Sequence, residues 1–177
     1  MLTALDVAKC FINIFNDTED GISNLKLQKL LYFAQGFSFQ RLNRPLFNDE
    51  IEAWEYGPVI NSVYQEFKYF GREPIRQRNT ISLLPEEERL ILDVAREYGK
   101  YTGNELINIT HEKNTPWDKV YDQEIQRRVI PKDLIKEYFI CEEKSLAEFD
   151  INDVIGSLEE VDLTNGKSIP LGEWAYE

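Results

Sequence analysis

Apolar residues recur at helical spacing from the first turn of the chain. Leu5, Ala8, Phe11, Ile12 and Phe15 fall on one side of a 3.6-residue wheel, so residues 3–15 are predicted to form a helix with one buried face. Asp17 to Gly21 is a loop. The next segment, 23–42, opens on Ser23 or Asn24 as a cap. Leu27, Leu30, Leu31 and Ala34 make its stripe, and Leu25, Tyr32, Phe33 and Phe37 carry apolar surface almost all the way round. Such a helix belongs at the centre, surrounded by others. Gly36 inside it costs about 1 kcal/mol relative to Ala, which fits a position where another element packs against the backbone.

The helical pattern breaks over 43–58. Ile51 and Ala53 alternate with Glu52, Trp54 and Tyr56, which predicts an extended segment or small hairpin. Pro58 suits the first position of a following helix that runs to Phe70, with Gly71 as its stop. Residues 71–84 read as a basic loop or short strand. Pro85 with Glu86, Glu87 and Glu88 starts a helix ending at Tyr98-Gly99. Thr102-x-x-Glu105 is a capping box, Thr115-Pro116 repeats a start signal, and Pro131 begins a helix through Phe139. A last helix from Ser145, and a segment docked or free through Trp174 and Tyr176, complete the expectation. The fold class is therefore mainly α: a compact multi-helix domain with a short hairpin or extended segment near 45–57 and an acidic C-terminal extension.

Charge sharpens this division. Of the net −12, residues 1–140 contribute 22 acids against 18 bases, whereas residues 141–177 contribute 10 acids against 2. An acidic surface repels phosphate backbones and attracts basic partners, so nucleic acid is not expected as the main partner. The arginines at 72, 76, 78, 89 and 96 make the best phosphate-binding candidate, but ion pairs with Glu73 and Glu86 to Glu88 account for them more simply. No apolar run spans a membrane and no signal-peptide pattern opens the chain, so the expected location is the cytoplasm. Cys10 and Cys141 stand far apart and read as reduced thiols.

Catalytic chemistry is sparse. His111 is the one histidine, no metal-ligand spacing exists, and neither cysteine has a local activating partner. The "GKS" at 166–168 lacks the upstream glycine of a phosphate loop. Glu50, Glu52 and Glu55 read as a solvated acidic face. His111 reads as an edge histidine whose ring bonds a loop carbonyl near Trp117, against a general base or partner contact. No enzyme activity and no cofactor or metal is expected.

Three segments in order, LKLQKLLYFAQG at 25–36, PLFNDEIEAWEYGPV at 45–59 with Tyr64 following, and THEKNTPW at 110–117, resemble the Panacea domain, the SocA-like or phage-associated GepA-like antitoxin family. The matching positions are Lys26, Gln28, Lys29, Leu30, Tyr32, Gln35, Trp54, Gly57, Pro58, Tyr64, His111 and Trp117. The resemblance covers residues 1–140 and leaves 141–177 as an extension. It implies a helical domain that neutralises a cognate toxin encoded nearby by direct protein contact, without a cofactor. The alternative is a phage or mobile-element regulator that binds a host protein. Lys29, Tyr32, Gln35, Trp54, Tyr56, Tyr64, His111 and Trp117 are the candidate partner-binding residues, because aromatic and polar-tipped side chains are enriched at interface hot spots. Packing of the domain itself is the competing role for Tyr32 and Trp54.

Overall fold

The computed structural model describes residues 2–125 and 127–141, with the side chain of Cys141 excepted; the helix from Ser145, the "GKS" turn and the Trp174–Tyr176 segment lie outside them. The architecture is mainly α. Seven α-helices are described: α1 (Ala4–Phe15), α2 (Asn24–Arg41), α3 (Asn61–Phe67), α4 (Pro85–Tyr98), α5 (Gly103–Thr110), α6 (Pro116–Val120) and α7 (Lys132–Cys141). Three short strands, β1 (Glu52–Trp54), β2 (Gly57–Val59) and β3 (Arg128–Val129), form an antiparallel sheet in the order β2-β1-β3.

Helix α2 is the axle. Every residue from Leu27 to Phe39 is buried, and α1, α3, α4, α5, α7 and β2 all pack on it. Local signals set its ends and those of its neighbours. Ser23 Oγ accepts from Lys26 N at 3.3 Å, and reciprocal capping boxes close Thr3–Asp6 at α1 and Thr102–Glu105 at α5. Lys26 Nζ donates to Gly99 O, placing a cation at the carbonyl end of α4, where the macrodipole favours it.

Gly36 is where α7 crosses α2. A Cβ built there would fall inside the contact surface of the Phe139 ring, which also packs edge-on against Tyr32, Phe33 and Phe37. Gly36→Ala should therefore lower stability by about 2 kcal/mol through overpacking. Phe139→Leu placed in the Gly36→Ala background should recover part of that loss; urea midpoints of the four combinations measure it.

Two elements differ from the sequence expectation. Pro58 does not start a helix: it pairs with Ala53 in the edge strand β2, where its missing N–H costs no ladder bond, and α3 begins at Asn61. The two-residue turn Glu55-Tyr56 is closed by Gly57 at φ +97°, which leaves the chain extended rather than helical. The helix expected to reach Phe70 ends at Phe67 and tightens into a 3₁₀ turn over Lys68–Phe70. Strand β3 was not foreseeable from periodicity, since two residues carry none. In the 71–84 loop, Ile75 alone makes a bridge, to Ile22.

Candidate functional site

The hairpin β1–β2 is held from below by polar side chains of α2. Asn24, Gln28, Lys29 and Gln35 are all buried, and each bonds backbone or a neighbour that does. Gln28 Oε1 accepts from Ile60 N at 2.8 Å while its Nε2 donates to Asn24 Oδ1 at 3.0 Å; Asn24 Nδ2 in turn donates to Tyr64 O at 3.3 Å. Gln35 Oε1 accepts from Leu46 N at 3.0 Å and Phe47 N at 3.2 Å, and Gln35 Nε2 donates to Phe47 O at 3.1 Å. Segment 46–60 has little regular structure of its own, so these amides supply the partners that its buried backbone requires.

Lys29 is fully buried, and its ammonium donates to Pro58 O at 3.0 Å. Burial pushes its pKa down to about 7. Gly57 leaves the room for it: a Cβ at residue 57 would lie 2.9 Å from Lys29 Nζ and 2.8 Å from Thr110 Oγ1. Beside this node the His111 ring lies flat on Trp117, with centroids 3.6 Å apart and planes 6° apart. The expected bond from the His111 ring to a loop carbonyl is not formed; its Nε2 is buried without a hydrogen-bond partner among the described residues, and stacking takes that role. Burial, then the Lys29 charge, holds the imidazole below its ordinary pKa. Trp117 Nε1 donates to Trp54 O at 2.7 Å, tying α6 to the hairpin.

Above this layer opens a groove of ≈ 380 Å³ between the hairpin, α3 and the start of α2. It is lined by Trp54, Glu55, Tyr56 and Val59 of the hairpin, by Tyr64 of α3 and Lys68 just beyond it, and by Leu25 and Gln28 of α2. Trp54 meets Tyr64 edge-to-face at 4.9 Å, and its Nε1 donates to Glu52 Oε2 at 2.7 Å. Arg127, at φ +63° after Ile125 and Gln126, lies over the Trp54 ring with its Cζ 4.5 Å from the centroid. Tyr56 is 61% exposed at the tip.

The eight candidate residues thus divide by depth. Lys29, Tyr32, Gln35 and Trp117 are buried, and His111 is half-buried against Trp117. Trp54, Tyr56 and Tyr64 share the groove. Arg127 was missed, because nothing in a sequence separation of 73 residues announces a contact with Trp54. The arginines of the basic loop are engaged differently from the expectation. Arg76 donates to the carbonyls of Asn16, Thr18 and Glu19, Arg78 pairs with Asp17 at 2.9 Å, and Arg96 pairs with Asp93; Glu86 and Glu87 pair instead with Arg44. Backbone carbonyls left open by the end of α1 and the following turn attract Arg76 more than distant carboxylates do. Among the described residues no three His, Cys, Asp or Glu side chains gather to hold a metal ion. No helix among them is long and apolar enough to cross a membrane.

Most of the residues that build clamp and groove, from Gln28 to Trp117, lie within residues 27–118, which match the family model described as antitoxin SocA-like, Panacea domain; Asn24, Leu25 and Arg127 lie outside the match. The chain belongs to that family. It is also 34% identical over 112 residues to antitoxin SocA of Caulobacter vibrioides (strain NA1000 / CB15N), an alignment that takes in 56% of this chain and 60% of that protein. The chain thus spans less than two thirds of the length of this curated relative. No solved structure matches. Within this Panacea domain, the matched segment begins inside α2, takes in the hairpin, α3, α4 and α5 whole, and ends inside α6.

Proposed function

We propose that this protein is an antitoxin that neutralises a cognate toxin, encoded by a neighbouring gene, through direct protein contact at the Trp54–Tyr56–Tyr64 groove. The observation that carries this reading is the division of the family-type residues. The buried ones fix the hairpin in place, and the ones left at the surface are aromatic, grouped and concave, the composition of binding hot spots. Membership of the antitoxin family, together with 34% identity to antitoxin SocA, supports a toxin as the partner. Residues 1–140 act as the recognition domain and residues 141–177 as an acidic extension to it. The reading places the work in the cytoplasm and calls on no cofactor and no catalytic step.

Co-expression with the toxic product of the adjoining reading frame tests it: rescued growth with co-purification of the two chains is expected. Growth arrest that persists, with no neighbour co-purifying, overturns it. Binding to a host protein instead would favour the mobile-element regulator.

Tyr56→Ala should separate contact from packing. Its side chain is exposed, so the unfolding free energy should change by no more than about 0.5 kcal/mol. Affinity for the toxin should fall roughly tenfold, as for a moderate hot spot. Calorimetric binding and a urea melt of the same preparation read both quantities.

A further inference from the structure

The Trp54 face already carries a guanidinium. Arg127 lies over the indole at 4.5 Å, exposed to solvent, and makes no ion pair with a carboxylate among the described residues. Its backbone sits in the left-handed region at φ +63°, an uncommon place for an arginine. The indole beneath is pinned: Glu52 Oε2 holds its Nε1 at 2.7 Å, Tyr64 meets it edge-on at 4.9 Å, and its own carbonyl takes Trp117 Nε1. Glu55 and the exposed ring of Tyr56 line the same groove. A fixed indole flanked by carboxylates and a second aromatic ring is the chemistry that recognises an organic cation.

We infer that the groove is an arginine-anchor site: a basic segment of the partner protein lays a guanidinium on Trp54 in place of Arg127, with Glu52 and Glu55 beside it. The inference rests on the reading of this groove as the partner-contact surface. Charge complementarity favours this occupant. Residues 1–140, which carry the groove, hold 22 acids against 18 bases, and the remainder of the chain is more acidic still, so the protein draws in basic segments. Once Arg127 swings out, Glu55 shares the groove with one lining cation, Lys68, which is engaged with Gln65 Oε1 at 2.6 Å, while Glu52 stays at the indole edge through Trp54 Nε1. Arg127 then acts as a built-in competitor. It keeps the indole face covered until an arginine on a partner, backed by further contacts, displaces it, so the apparent affinity carries a charge for opening the site.

The competitor role gives a signature that mere packing would not. Full-length protein is titrated with the capped peptide acetyl-Gly-Arg-Gly-Arg-Gly-amide, following the Trp54 indole N–H by NMR. Arg127→Ala should tighten the peptide about threefold, since an exposed cation–π contact is worth only a few-fold. Glu55→Gln should weaken it by a similar factor, and the glutamate counterpart of the peptide should leave the Trp54 signal unmoved. An Arg127→Ala protein that binds equally or more weakly overturns the inference. So does a titration indifferent to both substitutions, with shifts centred on residues 142–177; the acidic extension would then be the occupant's site. A missing toxin would leave this titration readable, whereas neutralisation that survives both Trp54→Leu, which removes the aromatic face, and Glu55→Gln would remove the arginine anchor and leave the antitoxin reading standing.

Discussion

Gln35→Leu should cost about 4 kcal/mol. The substitution keeps most of the side-chain volume but deprives Leu46 N, Phe47 N and Phe47 O of their partners in a position with no access to water. Each buried polar group left unpaired costs about 1–3 kcal/mol. Because two of the three bonds share one oxygen, the total falls short of three independent penalties. A domain of this size has about 5–15 kcal/mol to lose, so the variant should sit near the edge of folding. Urea unfolding should show the drop in midpoint, with a fall in melting temperature of roughly 10 °C. A loss below about 1 kcal/mol would mean that segment 46–60 is held by its apolar contacts alone. The consequence reaches the groove, since the same segment carries Trp54 and Tyr56.

The second large effect is a pH dependence that originates at Lys29. Burial holds its folded pKa at about 7, against the 10.5 of an ordinary lysine. Between these values the unfolded chain binds a proton that the folded chain does not, so stability rises with pH from about 7 upward. The slope climbs to its full value for one proton, about 1.4 kcal/mol per pH unit, only above the folded pKa, which gives roughly 2 kcal/mol between pH 7 and pH 9. Two other groups bound the window. The His111 pKa is lowered, and its contribution is lost as pH falls below the ordinary histidine range. Cys10, raised from 9.0 to about 11 by burial, works in the opposite direction above pH 9, where the folded thiol keeps a proton that the unfolded one releases. Denaturant melts at pH 7, 8 and 9 should therefore show rising stability in the native protein and a flat profile in Lys29→Met. Equal slopes in the two proteins would place the Lys29 ammonium in a solvated setting.

A buried lysine bonded to a carbonyl, with no carboxylate partner among the described residues, is a costly thing for a core to hold. Its place explains its presence. The carbonyl of Pro58 belongs to the edge strand of the sheet, and an edge covered by a helix whose side chains bond it is closed to pairing with other chains. Gln28 does the same for Ile60 N. The clamp fixes the hairpin so that Trp54 and Tyr56 stand beside Tyr64 of α3 in one preformed groove, which would lower the ordering cost of the proposed contact with a partner.

Much of the helical framework could be read directly. The first two helices, α4 with its proline and acidic first turn, and the capping box of α5 appear where the pattern puts them, because period, caps and breakers act within a few residues of each other. The centrality of α2 was legible in its apolar coverage. The candidate site was half legible. The motif residues were identifiable as a set, but whether each faced inward or outward was not, since α2 is buried on every side and its periodicity therefore carries no direction. Lys29 and Gln35 look on paper like surface residues, and burial became their role only because irregular backbone from 46–60 came to lie against them.

The sequence by itself determined the helical framework, the ends of its helices other than α3, the break at 43–58, the charge asymmetry and the scarcity of catalytic groups, all properties of neighbouring residues or of simple sums. Tertiary structure alone decided that Pro58 extends a strand rather than opening a helix, that Gly36 receives Phe139, and that Arg127 covers Trp54. Each of those outcomes depends on an element distant in the chain arriving at close range. Helical periods and caps act over three or four residues, so no pattern of that length could contain them.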